Sequence, residues 1–225
     1  FDANSMRITE LATSSFGQGF NVSMIQMITG YSALINGGYY YEPHMISRIE
    51  TTSGAVVENI EPKLLKQIVS EETSAKIIEY CNATVTDGTG KSARPAGYAI
   101  GGKTGTAQTL PRGNGEYIVS FMGYAPADNP QIAIYVVVDR ANVEEQDNSR
   151  LAQGIARNIL TEVLPYLNIY MTEELSEKEL AELEDELKFD VESFNRAVIT
   201  SPFNRTVIQE LVKYIDPQSE EKTLI

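Results

Sequence analysis

Three segments of strand character follow one another at residues 99–109, 117–125 and 132–138, joined only by the links 110–116 and 126–131. Links this short cannot carry the crossover that parallel neighbours need, so the three strands must run antiparallel. The third, Ile132-Ala-Ile-Tyr-Val-Val-Val138, is almost continuously apolar, which predicts a central or buried strand. Helical patterns flank the trio on both sides. A sheet with helices packed on it is the α+β class.

The flanking helices carry their own start and stop signals. Ser23 with Gln26 makes a capping box, Met24, Met27, Ile28, Tyr31, Leu34 and Ile35 give an apolar stripe, and Gly37-Gly38 stops the run. Before it, residues 10–20 read as a small polar loop with two glycines. Ser70 caps a second helix to about Val85, with Glu71 and Glu72 in the positive first turn and Ile77, Ile78 and Cys81 turned inward. Residues 39–46 look extended because Pro43 excludes a helix interior, and 47–52 with 55–60 read as a hairpin through Ser53-Gly54. A last helix runs from Asn148 to about Leu164 and should stop at Pro165.

The first of the three strands has an unusual composition, Ala99-Ile-Gly-Gly-Lys-Thr-Gly-Thr-Ala-Gln-Thr109. Glycine weakens a strand and marks places where a ligand or another backbone comes close. Lys103 adds one cation, and Thr104 and Thr106, two residues apart, share a face. An open edge with N–H groups, two hydroxyls and an ammonium suits an extended peptide ending in a carboxylate.

Charge and rare residues exclude several classes. The net charge of −13 argues against nucleic acid as a partner, because neutralising phosphates needs lysine and arginine. One cysteine, Cys81, leaves no internal disulfide and no thiolate cluster for a metal, and one histidine, His44, rules out a site needing two; no cofactor is expected. No apolar run approaches the about 20 residues of a membrane span. The chain starts at Phe1 without a signal-peptide pattern, which suggests an excised segment. Residues 168–225 hold 14 acids and 6 bases, a net of −8, and read as an acidic linker or small helical appendage to a domain at 1–167. Leu175, Leu180, Leu183 and Leu187 could share one helical face there, and Val207, Ile208, Leu211, Val212 and Ile215 another.

Several stretches together resemble one family. Ser15-Phe-Gly-Gln-Gly, Asn36-Gly-Gly-Tyr, Gly88-Thr-Gly, Ala99-Ile-Gly-Gly-Lys-Thr-Gly-Thr-Ala-Gln and Ser120-Phe-Met-Gly-Tyr-Ala-Pro are similar, in order and spacing, to the class B penicillin-binding proteins. These are membrane-anchored D,D-transpeptidases of bacterial cell-wall synthesis. The ending Val163-Leu-Pro-Tyr-Leu-Asn looks most like the division and sporulation branch. The resemblance covers about residues 5–167 and stops before the acidic tail. Lys-Thr-Gly is one of the family's three signature motifs.

That resemblance implies an extracytoplasmic enzyme that cross-links peptidoglycan stem peptides by serine acyl transfer and binds β-lactams. Lys103 would supply positive potential and help move protons, and the backbone N–H of Thr106 would be one of two oxyanion donors. The Thr104 and Thr106 hydroxyls would bind the substrate carboxylate, while Gly105 keeps the strand face clear. The Ser-x-x-Lys nucleophile motif and the Ser-x-Asn motif are expected upstream, so the fragment alone should be inactive. Its implied partners are the upstream part of the same enzyme and cell-wall or division proteins. The alternative is a catalytically inactive, transpeptidase-like scaffold or binding module of the cell-wall machinery.

Look-alike motifs have plainer readings. Ser193-Phe-Asn195 has the letters of the second motif but follows Lys103 in the tail, and Thr73-Ser-Ala-Lys76 sits inside an amphipathic helix. Thr89-Gly-Lys-Ser92 imitates the end of a P-loop, but Val85 stands where its first glycine belongs. The loop reads instead as a flexible lead-in to the strand. His44 reads as structural and Cys81 as a buried thiol. The Gln18 loop could border the cleft without taking part in the reaction.

Overall fold

A computed structural model of the chain describes residues 5–180 apart from 16, 18, 20 and 178. Two compact units divide the chain, Phe1–Glu174 and Leu175–Ile225. The first unit runs α1 (Ile8–Ser14), α2 (Met24–Ile35), β1 (Tyr39–Tyr41), β2 (Arg48–Glu50), β3 (Val56–Asn59) and β4 (Leu64–Gln67). It continues with α3 (Glu71–Thr86), β5 (Gly101–Gln108), β6 (Tyr117–Ala125), β7 (Ile132–Asp139) and α4 (Arg150–Tyr166). Of the second unit, Ser176 bonds Glu179 through both its N–H (2.8 Å) and its hydroxyl (2.6 Å). Ser193-Phe-Asn195, Gln18 and the expected apolar faces beyond Leu180 lie outside the described residues.

β5, β6 and β7 form one antiparallel sheet in that order, with an unbroken register from Gly101 opposite Tyr124 to Gln108 opposite Tyr117. The expected centre of the sheet is therefore corrected. β6, not β7, is the middle strand, and β7 lies at an edge with only Val136 buried. Its continuous apolar character reflects helices on both of its faces rather than a strand on each side. β6 alternates as a strand between two cores must. Val119, Phe121 and Ala125 enter a cluster with Ala152, Ala156, Leu160 and Leu164 of α4. Met122 and Tyr124 enter a second cluster with Tyr31 and Ile35 of α2 and Ile77, Ile78 and Cys81 of α3. The sheet is thus packed between α4 on one face and α2 with α3 on the other, the expected α+β arrangement.

Local chemistry explains most boundaries. Ser23 N–H donates to Gln26 Oε1 at 2.9 Å and Gln26 N–H to Ser23 Oγ at 3.3 Å, the reciprocal cap expected for α2. The buried Ser74 hydroxyl donates to Leu34 O at 2.7 Å and accepts from Gly37 N–H at 3.0 Å, fastening the end of α2 to α3. Both polar functions of Ser74 are satisfied, as burial requires. β2 and β3 form the expected hairpin, with Gly54 at φ +85°.

Three local expectations change. Residues 10–14 are helical rather than loop, because Glu10 reaches back to accept Arg7 N–H at 2.8 Å and closes the first turn of α1. β1 is held by β4, a short strand whose exposed Leu-Leu-Lys-Gln sequence carries no alternation to announce it. α4 passes through Pro165 to Tyr166. A proline in the last turn forfeits one hydrogen bond only, and the helix ends where Asn168 turns left-handed at φ +57°.

The chain does not leave the sheet unit at Leu167. Ile169 is buried, and Tyr98 donates its hydroxyl to Ile169 O at 3.3 Å. Thr172 and Glu173 donate their N–H groups to Gly97 O, and Ala99 N–H donates to Thr172 Oγ1 at 2.9 Å. Arg94 pairs with Glu173 at 2.7 Å. This clamp holds residues 168–173 against the residues leading into β5.

Candidate active site at the open edge of the sheet

β5 pairs with β6 on one side and with no strand on the other among the described residues. Which backbone groups face that open side follows from the register. Thr109 N–H donates to Glu116 O at 2.9 Å, so Thr109 belongs to a hydrogen-bonded pair with β6. Such pairs alternate along an antiparallel ladder, and the register is unbroken. The odd-numbered residues of β5 therefore bond to β6, while Thr104 and Thr106 direct their N–H and C=O groups to the open edge. The N–H of Thr106 faces the side from which an extended ligand would approach.

The side chains alternate in the other sense. Gly101, Lys103 and Gly105 lie opposite Tyr124, Met122 and Ser120 and share the face covered by α2 and α3. Thr104 and Thr106 lie opposite Phe121 and Val119 on the α4 face. Lys103 is exposed, and its ammonium donates to Thr104 O at 2.7 Å, folding along the strand. The Thr104 hydroxyl lies 3.0 Å from the Thr89 hydroxyl. The exposed Thr106 hydroxyl donates to Asp147 O at 3.4 Å, in the link before α4. That link is tied down in turn, since Tyr117 N–H donates to Gln146 Oε1 at 3.2 Å.

The glycines of the strand are explained largely by its neighbours. A Cβ on Gly101 would fall onto the Tyr124 ring, and one on Gly105 would come within 2.5 Å of Ser120 Oγ. Gly105 thus makes room for a side chain of β6. Cys81 is the buried thiol expected, accepting the Tyr31 hydroxyl at 3.8 Å. Burial pushes the Cys81 thiol above the ordinary thiol range, against smaller lowering effects of the Tyr31 hydrogen bond and the Lys103 charge. Burial likewise pushes the Tyr31 and Tyr124 phenols upward. His44 is exposed.

Two neighbours of the strand were not singled out by the sequence reading. Thr89 was assigned only to a flexible lead-in, although Gly88-Thr-Gly90 contributed to the resemblance, and Asp147 acts through a backbone carbonyl that no side-chain pattern reveals. The letters Ser-x-x-Lys also occur at Ser219-Glu-Glu-Lys222. They follow Lys103 in the acidic tail, outside the described residues. No group of three or more histidine, cysteine or acidic residues that could hold a metal ion occurs among the described residues. No helix among them is long and apolar enough to cross a membrane.

Comparison with known proteins agrees with this arrangement. A family profile for the penicillin binding protein transpeptidase domain matches residues 3–161. Stage V sporulation protein D of Bacillus subtilis (strain 168) is 40% identical over 164 residues, covering 71% of this chain and 25% of that protein. Penicillin-binding protein 2a of Streptococcus pneumoniae (strain ATCC BAA-255 / R6) is 30% identical over 173 residues, covering 74% of this chain and 23% of that protein. Among solved structures, penicillin binding protein 3 from Mycobacterium tuberculosis, complexed with aztreonam, matches with a TM-score of 0.65 at 26% identity, over 76% of this chain and 41% of that one. The transpeptidase domain of penicillin-binding protein 3 from Burkholderia pseudomallei gives 0.62 at 27% identity, over 76% and 50%. The chain belongs to the penicillin-binding protein transpeptidase domain family. It spans about a quarter of the length of these two curated relatives.

Proposed function

We propose that this chain forms one wall of the active site of a class B penicillin-binding D,D-transpeptidase of the division or sporulation type. The observation that carries the reading is the Lys103-Thr-Gly-Thr106 strand at an open sheet edge, in a chain of this family. A serine attacks the penultimate D-alanine carbonyl of a peptidoglycan stem peptide, the C–N bond breaks, and the terminal D-alanine leaves with the serine's proton on its amine. The acyl group then passes to the amine of a second stem peptide, and the serine regains a proton. A β-lactam ring opened by the same serine gives a stable acyl-enzyme.

The parts fit these steps. The oxyanion needs donors aimed at it before it forms, and the Thr106 N–H at the open edge meets that need. The Thr104 and Thr106 hydroxyls, with the Lys103 ammonium nearby, suit the terminal carboxylate of the stem peptide, Thr106 exchanging its 3.4 Å bond to Asp147 O for one to the carboxylate. The nucleophile motif Ser-x-x-Lys and its Ser-x-Asn companion come from sequence upstream, and the fragment alone is inactive. The site works at the extracytoplasmic face of the bacterial membrane, without metal or other cofactor. Its partners are the upstream part of the same enzyme, stem peptides, β-lactams and proteins of the cell-wall or division machinery.

Labelling with a fluorescent penicillin tests this, on the chain alone and on the protein extended upstream in its natural reading frame. Label on the extended protein only, reduced about a hundredfold or more by Lys103→Ala, is the expected result. No label on either protein overturns the enzymatic reading in favour of an inactive scaffold. Label on the chain alone overturns the upstream placement of the nucleophile.

A further inference from the structure

Thr89 and Thr104 are separated by fifteen residues of chain, yet their hydroxyl oxygens lie 3.0 Å apart. The loop that delivers Thr89 is anchored to the end of α3 on both sides. Gly88 N–H donates to Ala83 O at 3.1 Å, and Gly90 N–H donates to Thr84 O at 3.0 Å. A Cβ on Gly88 would come within 2.8 Å of Thr84 O, so the close approach depends on glycine there. Thr89 is therefore held beside β5 by backbone bonds that do not involve its own side chain.

Each hydroxyl has one proton, and only one proton can lie between the two oxygens. If Thr104 donates to Thr89, it has nothing left to offer a ligand. If Thr89 donates, the Thr104 proton is free to point elsewhere, and accepting a bond strengthens Thr104 as a donor. A carboxylate at Thr104 accepts only, so it selects the second arrangement.

We propose that Thr89 is a positioning residue whose hydroxyl donates to Thr104 and turns Thr104 into a donor toward the substrate carboxylate. The inference rests on the transpeptidase reading above. It predicts that Thr89 matters only for ligands bearing that carboxylate, and only while Thr104 keeps its hydroxyl.

The test compares acylation rates of the upstream-extended protein with a fluorescent penicillin and with the methyl ester of the same compound. Thr89→Val should slow acylation by the free acid about two- to fourfold, the loss of the cooperative strengthening of one bond to a charged group, and leave the ester rate unchanged. Thr89→Ser should restore the acid rate. In a Thr104→Val background, Thr89→Val should add nothing further. Equal slowing of acid and ester would mean a structural role and overturn the inference, as would an unaffected acid rate, additive effects of the two substitutions, or no rescue by serine. A wild-type protein that the free acid does not label overturns the transpeptidase reading, and this inference with it.

Discussion

The Tyr124 hydroxyl donates to Asn82 Oδ1 at 2.7 Å, and the two side chains close over Gly101 at the start of β5. Asn82 also donates to Ala127 O at 3.3 Å, so one side chain of α3 bonds both β6 and the turn after it. The chain leading to Lys103 passes beneath this bridge with no room for a methyl group.

Gly101→Ala should therefore destabilise the protein by about 1–3 kcal/mol, the usual cost of overpacking. Gly30, in α2, provides the opposite control, because nothing lies within 4 Å of a Cβ there. Gly30→Ala should stabilise by about 0.5–1 kcal/mol through helix propensity alone. Urea midpoints of the two variants moving in opposite directions is the expected result.

Proline separates the two sides of β5. Thr106 directs its N–H to the open edge, so Thr106→Pro should leave the β5–β6 ladder and the fold in place, as proline is tolerated on edge strands. Acylation of the upstream-extended protein by penicillin should fall by about 10²–10³-fold, the cost of one oxyanion donor. Ala107 faces β6, and Ala107→Pro should lower the melting temperature sharply. A melting scan of the Thr106→Pro protein resembling that of Ala107→Pro would refute the edge assignment.

The buried thiol gives stability a pH dependence of fixed sign. Folding raises the Cys81 pKa, chiefly through burial, so the folded state retains the proton where the unfolded state loses it. Stability is then full below the ordinary thiol value of about 8.5 and falls as pH rises past it, with a limiting slope of about 1.4 kcal/mol per pH unit. Tyr31 and Tyr124 are shifted in the same direction and extend the loss above about pH 10. Melting temperatures from pH 7 to 9.5 should decline in the native sequence and decline less in Cys81→Ala.

The outer edge of β7 pairs with no strand among the described residues. An open edge bearing Ile132, Ile134, Val136 and Val138 is a template for further pairing. The isolated chain should self-associate or aggregate, and extension upstream in its natural frame should suppress this. Sedimentation of the isolated chain as a cooperatively melting monomer would count against that expectation.

The antiparallel trio, the caps at Ser23 and Ser70 and the inward Cys81 were legible because each is written in local sequence: loop length, a hydroxyl three residues from its partner, a 3.6-residue stripe. The strand order was not. Ile132–Asp139 looks central because both its faces are covered, and a sequence records burial more directly than pairing. β4 was invisible for the converse reason, since all four of its residues are exposed and owe their conformation to Tyr39, Tyr40 and Tyr41 across the ladder. At the site, the Lys103 strand announces itself by its glycines. Its contacts with Thr89 and the Asp147 carbonyl depend on how two distant loops fold back, and no spacing encodes them.

The clamp at Gly97–Ala99 makes the segment after α4 a tether with its anchor point at the root of β5. Tension drawn on the chain beyond Glu173 arrives first at three hydrogen bonds and one ion pair beside β5, and only afterwards at α4. A pull on the chain beyond Glu173 therefore reaches the strand that holds Lys103.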